Sequence, residues 1–239
     1  MKALPLLKTF LFSILLITSA PVFGQIRPGI YIADLEDVQH ELKMTDDYMI
    51  HTIYVKDPAR FIKTEGGFYE IVGSEIHAKL EFNSNYEADS VSSLNIPFAI
   101  NGSQLTLGTS PRLVFNLLDS VAQELDSQWL FATRGPDKGQ ERRGEANTRK
   151  TLKFLKDGRF QWIAYDTDGM QFKGTGGGSY TSKDGVYTEN IEYFSRDNAR
   201  VGASLQFNYE IIGDDWHHRG NNSKGEPMYE IWEKRIGSK

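Results

Sequence analysis

The chain has 239 residues, no cysteine and a formal net charge of −5 at pH 7. An acidic balance argues against nucleic acid as a partner, and the lack of cysteine excludes a disulfide framework, so hydrophobic cores must hold the fold. Tyrosine, phenylalanine and glycine are plentiful while long apolar helical faces are scarce, a composition that favours strands.

The chain opens on Met1-Lys2-Ala3-Leu4-Pro5-Leu6-Leu7-Lys8, then an apolar run from Phe10 to Ile17, then Val22-Phe23-Gly24 before polar Gln25. Basic start, short apolar run and small residue before a cut are the order of a secretory signal peptide over residues 1–24. The run is too short to span a bilayer by default. Cutting before Gln25 leaves 239 − 24 = 215 residues and removes Lys2 and Lys8, which takes the charge from −5 to −7. The expectation is an exported protein, periplasmic or extracellular, without a transmembrane segment.

From residue 25 onward short apolar-polar alternations are parted by Gly, Asn, Asp and Ser. They predict strands at 30–34, 39–44, 48–55, 61–72, 75–82, 93–101, 104–107 and 112–116. Leu117, Leu118, Val121 and Leu125 then recur at helical spacing, which predicts a short linker helix within 117–126. Strands resume at 128–134, 149–156, 159–165, 170–181, 186–194, 203–212, 214–219 and 229–235.

The two series are copies. A shift of 111 residues lays Gly66-Gly67-Phe68-Tyr69 on Gly177-Gly178-Ser179-Tyr180, and Leu94, Ile96, Phe98 and Ile100 on Leu205, Phe207, Tyr209 and Ile211. Residues 46–105 against 157–216 give 15 identities in 60 ungapped positions, where unrelated pairs give roughly a quarter as many. The chain is therefore read as an all-β protein of two tandem eight-stranded up-and-down units, residues 25–116 and 127–239. Meanders of this spacing close into barrels; a two-sheet sandwich has the same sequence signature.

Period two assigns faces. Leu205, Phe207, Tyr209 and Ile211 face inward, as do Tyr187, Ile191 and Tyr193. Glu189 falls among them, where the first copy has Ala78. A buried carboxylate requires partners: tyrosine hydroxyls, or Lys150, which shares a face with Leu152 and Phe154. The functional readings are a polar anchor in a ligand cavity, or a general acid or base. Phe160 and Trp162 complete the aromatic lining, so the candidate ligand site is Glu189, Tyr187, Tyr193, Phe160, Trp162, Phe207, Tyr209 and Lys150.

Other motifs point elsewhere. His217 and His218 are adjacent in a strand and face opposite ways, which suits no shared metal. His51 corresponds to Trp162, which favours a core or cavity-wall role, and His77 alternates outward. Gly174-Thr175-Gly176-Gly177-Gly178 precedes a strand instead of the helix a phosphate loop needs, so the glycines read as a bend or bulge. Ser179 and Ser195 lack the surroundings of a hydrolase nucleophile. The charged stretch from Arg134 to Arg149 reads as a long loop, either solvated or a lid whose Arg142 and Arg143 meet an acidic head group. No cofactor or metal is expected.

Gly176-Gly177-Gly178-Ser179-Tyr180, Val186-Tyr187-Thr188-Glu189 and Tyr229-Glu230-Ile231-Trp232-Glu233-Lys234-Arg235 together resemble a lipocalin-like domain of small secreted Bacteroidetes-type proteins. Ser127-Gln128-Trp129 resembles that family's first-strand tryptophan, with Arg235 as the late basic residue over it. The likeness covers about residues 127–236. The first copy departs from it, with Phe68, Ala78 and Phe115 in place of Ser179, Glu189 and Trp232. The resemblance implies calycin-like barrels and a small apolar or amphipathic ligand in the second, bound without catalysis. A partner-binding module with filled barrels and a barrel isomerase or cyclase using Glu189 stand as alternatives.

Overall fold

The computed structural model describes residues 25–222 and 224–237; the signal-peptide reading concerns residues 1–24, which lie outside them. Two closed antiparallel barrels follow one another, each an eight-stranded meander. The first is built from β1 (Gly29–Leu35), β2 (Val38–Met44), β3 (Tyr48–Val55), β4 (Arg60–Val72), β5 (Glu75–Asn83), β6 (Ser93–Asn101), β7 (Gln104–Leu107) and β8 (Leu113–Leu117). The second is built from β9 (Ser127–Arg134), β10 (Arg149–Lys156), β11 (Arg159–Asp166), β12 (Gln171–Lys183), β13 (Val186–Phe194), β14 (Ser204–Ile212), β15 (Asp215–Asn221) and β16 (Pro227–Lys234). Closure comes from β1 on β8 and from β16 on β9, which leaves no open edge to template aggregation.

The link between barrels is short but is not helical, contrary to the periodicity of Leu117, Leu118, Val121 and Leu125. Leu117 ends β8, while Leu118 and Val121 stay exposed. The backbone finds partners on the second barrel instead of on itself. Leu125 N–H donates to Ser182 Oγ at 3.0 Å, and Ser182 N–H donates to Gln123 Oε1 at 2.9 Å. Leu125 is thereby driven into the base of the second barrel, fully buried. Side-chain spacing gives no warning of such tertiary competition for hydrogen bonds.

Both copies carry a bulge at the same place. Pairing slips between Gly66 and Gly67 against β5, and between Gly177 and Gly178 against β13. The glycine requirement there is steric: a Cβ on Gly67 would collide with the Lys79 carbonyl, and one on Gly178 with the Asn190 carbonyl. The bulged residues, Glu81 and Glu192, are thrown outward.

What they meet is the other barrel. A third apolar cluster joins Ile30, Tyr48, Ile50 and Phe82 of the first barrel to Leu130, Leu152, Phe154, Ile163 and Tyr165 of the second. Residues 111 apart make reciprocal contacts across it. Tyr54 lies on Tyr193 with ring centroids 4.6 Å apart, and Phe82 lies on Tyr165 at 5.1 Å. The Tyr165 hydroxyl donates to Glu81 at 2.8 Å, and the Tyr54 hydroxyl to Glu192 at 3.4 Å. Phe61 stacks on Phe172 with planes 6° apart, so each residue meets its own counterpart. The interface is isologous, like that of a two-fold dimer made within one chain.

The cations that complete this interface differ. Arg159 pairs with Glu41 at 2.8 Å and with Glu192 at 2.5 Å. Lys43, fully buried, sits 2.7 Å from Glu41. Burial alone would raise the Glu41 carboxyl, but Arg159 and Lys43 overcome it and hold its pKa down to about 2. On the other side Arg235 pairs with Glu81 at 2.8 Å and covers the rings of Tyr48 and Phe68 at 4.8 and 4.6 Å. Arg235 therefore does not serve as a lid on Trp129: counting from inward Trp232, it falls on the outer face.

Candidate functional site

The second barrel is closed by its own side chains. Glu189 is buried, and its Oε1 accepts from Lys153 Nζ at 2.8 Å and from the Tyr187 hydroxyl at 2.8 Å. The Lys153 ammonium is caged by aromatic rings, 5.0 Å from Tyr187, 4.9 Å from Trp216 and 5.2 Å from Trp232. His218 packs edge-on to Phe207 at 4.4 Å, and burial followed by the nearby Lys153 charge pushes its pKa down to about 4. Phe160, Tyr187 and Phe207 are core residues, and Trp162 fills the end of the barrel against Phe194. Tyr209 is also in that core, with its hydroxyl donating to Glu124 of the link.

Two residues of the expected site face the other way. Lys150 lies on the outer face of β10, where its ammonium donates to the carbonyls of Glu145 and Asn147. It does share a face with Leu152 and Phe154, but that face packs on the first barrel. The lysine that reaches Glu189 is its neighbour of opposite parity, Lys153. Tyr193 points outward because the bulge at Glu192 reverses alternation after Ile191. It meets Tyr54 and accepts from Lys43 Nζ at 3.3 Å across the interface.

The charged loop between β9 and β10 folds back over the mouth of the second barrel. Arg143 lies over the Phe131 ring at 5.0 Å, and Arg142 pairs with Asp215 at 2.7 Å. Beneath it lies an open cleft of about 450 Å³ reaching Glu230 and Trp232. His217 and His218 do point to opposite faces, His217 bonding to the Tyr229 hydroxyl at 2.7 Å. Among the described residues no group of three or more His, Asp and Glu is placed to hold a metal ion.

The first barrel keeps internal space. A cavity of about 310 Å³ is walled by Leu42, Met49, Ile53, Leu94, Ile96, Leu107 and Leu113. The turn carrying Thr109, Ser110 and Pro111 borders it. Its remaining wall is a line of three polar residues from β2, β3 and β4: His40, His51 and Glu65. His40 Nδ1 and His51 Nε2 are 3.0 Å apart, and His51 Nδ1 stands 3.7 Å from Glu65 Oε1. Glu65 Oε2 lies 2.9 Å from Lys63 Nζ, which also reaches Asp89 at 3.3 Å. Burial would raise the Glu65 carboxyl, but His51 and Lys63 hold it below its ordinary value. For His40, burial and then the charge that His51 would carry bring the pKa down to about 4.

The counterparts explain why one barrel is hollow. Leu42, Ala78, Leu105 and Leu107 stand where the second copy has Lys153, Glu189, Trp216 and His218. His51 sits on the cavity wall, in keeping with its alternation. His40 and Glu65 were visible on the same grounds, His40 by parity with Leu42 and Met44, and Glu65 as the one acidic residue beside the first glycine pair. No family model matches this chain, and no curated protein matches it either.

Proposed function

We propose that the protein is an exported, lipocalin-like binding protein that takes a small apolar or amphipathic molecule into its first barrel without catalysis. The observation that carries this is the 310 Å³ cavity, apolar on most sides with polar groups gathered at one. That volume is at the lower end of small-molecule sites, roughly 300 to 1,000 Å³. The reading moves the site from the second barrel, where the aromatic cage already holds the ammonium of Lys153. It also leaves Glu189 without an acid-base task, since that carboxylate is ion-paired inside the filled barrel. Export rests on the leader-like residues 1–24; among the described residues no helix is long and apolar enough to cross a membrane.

The test is to copy the second barrel's residues into the first. His51→Trp and Ile96→Phe install the residues found at Trp162 and Phe207. Native mass spectrometry of the purified mature protein should show a co-purifying small molecule that the double variant loses while remaining folded by circular dichroism. A ligand retained unchanged by the filled variant would place binding elsewhere, with the cleft beside Arg143 the next position to probe.

A further inference from the structure

The polar wall of the first barrel has a direction, and the direction selects a ligand. Glu65 is an anion whose Oε1 stands 3.7 Å from His51 Nδ1, and its charge favours the His51 tautomer with the hydrogen on Nδ1 and a lone pair at Nε2. In that tautomer His40 Nδ1, 3.0 Å away, is the donor to the lone pair. A neutral imidazole has one N–H, and His40 has committed it. Its Nε2 is left as an acceptor and makes no hydrogen bond to any described residue.

We infer that this cavity receives a neutral hydroxyl, the alcohol or phenol end of an otherwise apolar molecule, whose O–H donates to His40 Nε2. The inference rests on the cavity reading above and gives it a ligand class. A carboxylate is disfavoured because the charges near the wall are already assigned. Lys63 is shared between Glu65 and Asp89, and Glu65 itself would repel an anion. Protonating His40 to supply a donor is opposed by its burial and by His51. A ligand ending in an ether or an ester finds no donor among His40, His51 and Glu65, and leaves His40 Nε2 without a partner. An ammonium would have to compete with Lys63 for Glu65, the one anion on this wall, and that carboxylate is already paired.

Three probes of matched size separate these cases: 1-octanol, its isomer 1-methoxyheptane and octanoate, each titrated calorimetrically into the full mature protein at pH 7.5. The expected result is that octanol binds at least tenfold tighter than both others. In His40→Leu the octanol advantage over the ether should fall to within about twofold, with ether affinity kept. In the wild type, the His40 Nε2 nitrogen-15 resonance should move on adding octanol and stay in place on adding the ether, a readout independent of whether the variant folds well. Equal affinity for octanol and ether, or tighter binding of octanoate, overturns the hydroxyl assignment while keeping the cavity as a binding site. If none of the three binds the wild type, or all bind the His51→Trp/Ile96→Phe variant equally well, the cavity reading and this inference fall together.

Discussion

The two barrels share strand order, bulge position and register, yet they spend their interiors differently. In the second, Trp216, Trp232, Tyr187 and Phe207 surround an ion pair between Lys153 and Glu189. In the first, the positions of that pair hold Leu42 and Ala78, and a cavity remains. Eight strands enclose a space that side chains can just fill, so exchanging a few large residues for small ones decides between a solid barrel and a hollow one. The duplicated scaffold has thus produced one structural barrel and one with room for a guest.

The sharpest way to break this contrast is to remove one partner of the ion pair. Glu189→Ala leaves Lys153 buried and uncompensated, which should lower stability by about 3–5 kcal/mol. Installing both residues of the first copy, Lys153→Leu with Glu189→Ala, removes the charge altogether and should recover most of that loss. Urea unfolding of the single and double variants checks both values. If the double variant were no more stable than the single, the pair would matter for its volume instead of its charge.

The next effect in size is a pH dependence written by His218. Its counterpart in the first copy is Leu107. Unfolded, the imidazole takes up a proton near its ordinary value of 6.5; folded, burial and Lys153 delay this to about 4. The unfolded state therefore binds more protons between those values, and stability falls as pH drops from about 6.5 to about 4, flat above and below that window. For His218 the loss is on the order of 3 kcal/mol. His40, lowered to about 4 by burial and His51, acts in the same direction. Glu41, held to about 2, withdraws its stabilisation only below the ordinary carboxylate range. Denaturation midpoints between pH 7 and 4 should show a shallower slope in His218→Leu than in the wild type; an unchanged slope would mean that His218 takes up its proton equally readily folded and unfolded.

Strand positions were legible because turns and alternation are local. The inner row Leu205, Phe207 and Tyr209 was readable for the same reason, although Ile211 at the barrel rim stays exposed. Alternation tells which residues share a face, and fails to tell which face is inside when both are buried. On β10 the row Lys150, Leu152, Phe154 is more apolar than Thr151, Lys153, Leu155. The apolar row packs between barrels, and the row with the lysine faces in. Tyr193 escaped because one bulged residue reverses parity without altering composition. The cavity was hidden for a further reason: an empty interior is a sum over many side-chain volumes, and no single motif records it. The interface did leave a trace, since Tyr54 and Tyr165, Thr64 and Thr175, and Glu81 and Glu192 are identical pairs at outward positions.

That trace sets the smallest and most exacting prediction. Tyr165 donates to Glu81 at 2.8 Å, whereas its counterpart Tyr54 stands 3.4 Å from Glu192 and closer to Gln39, at 2.7 Å. A perfectly kept two-fold would make the two contacts equal in strength. The distances instead make the Tyr165–Glu81 bond the stronger, although each carboxylate also carries an arginine, Arg235 on Glu81 and Arg159 on Glu192. Tyr165→Phe should cost about 1 kcal/mol, most of it recovered as coupling in a double-mutant cycle with Glu81→Gln. The cycle of Tyr54→Phe with Glu192→Gln should give about half as much or less, since the hydroxyl keeps Gln39 as its partner. Equal couplings would mean that the interface has stayed symmetric in energy despite its unequal cations. A larger coupling at Tyr54 would reverse the assignment and make the Glu41, Lys43 and Arg159 side the tighter half of the junction.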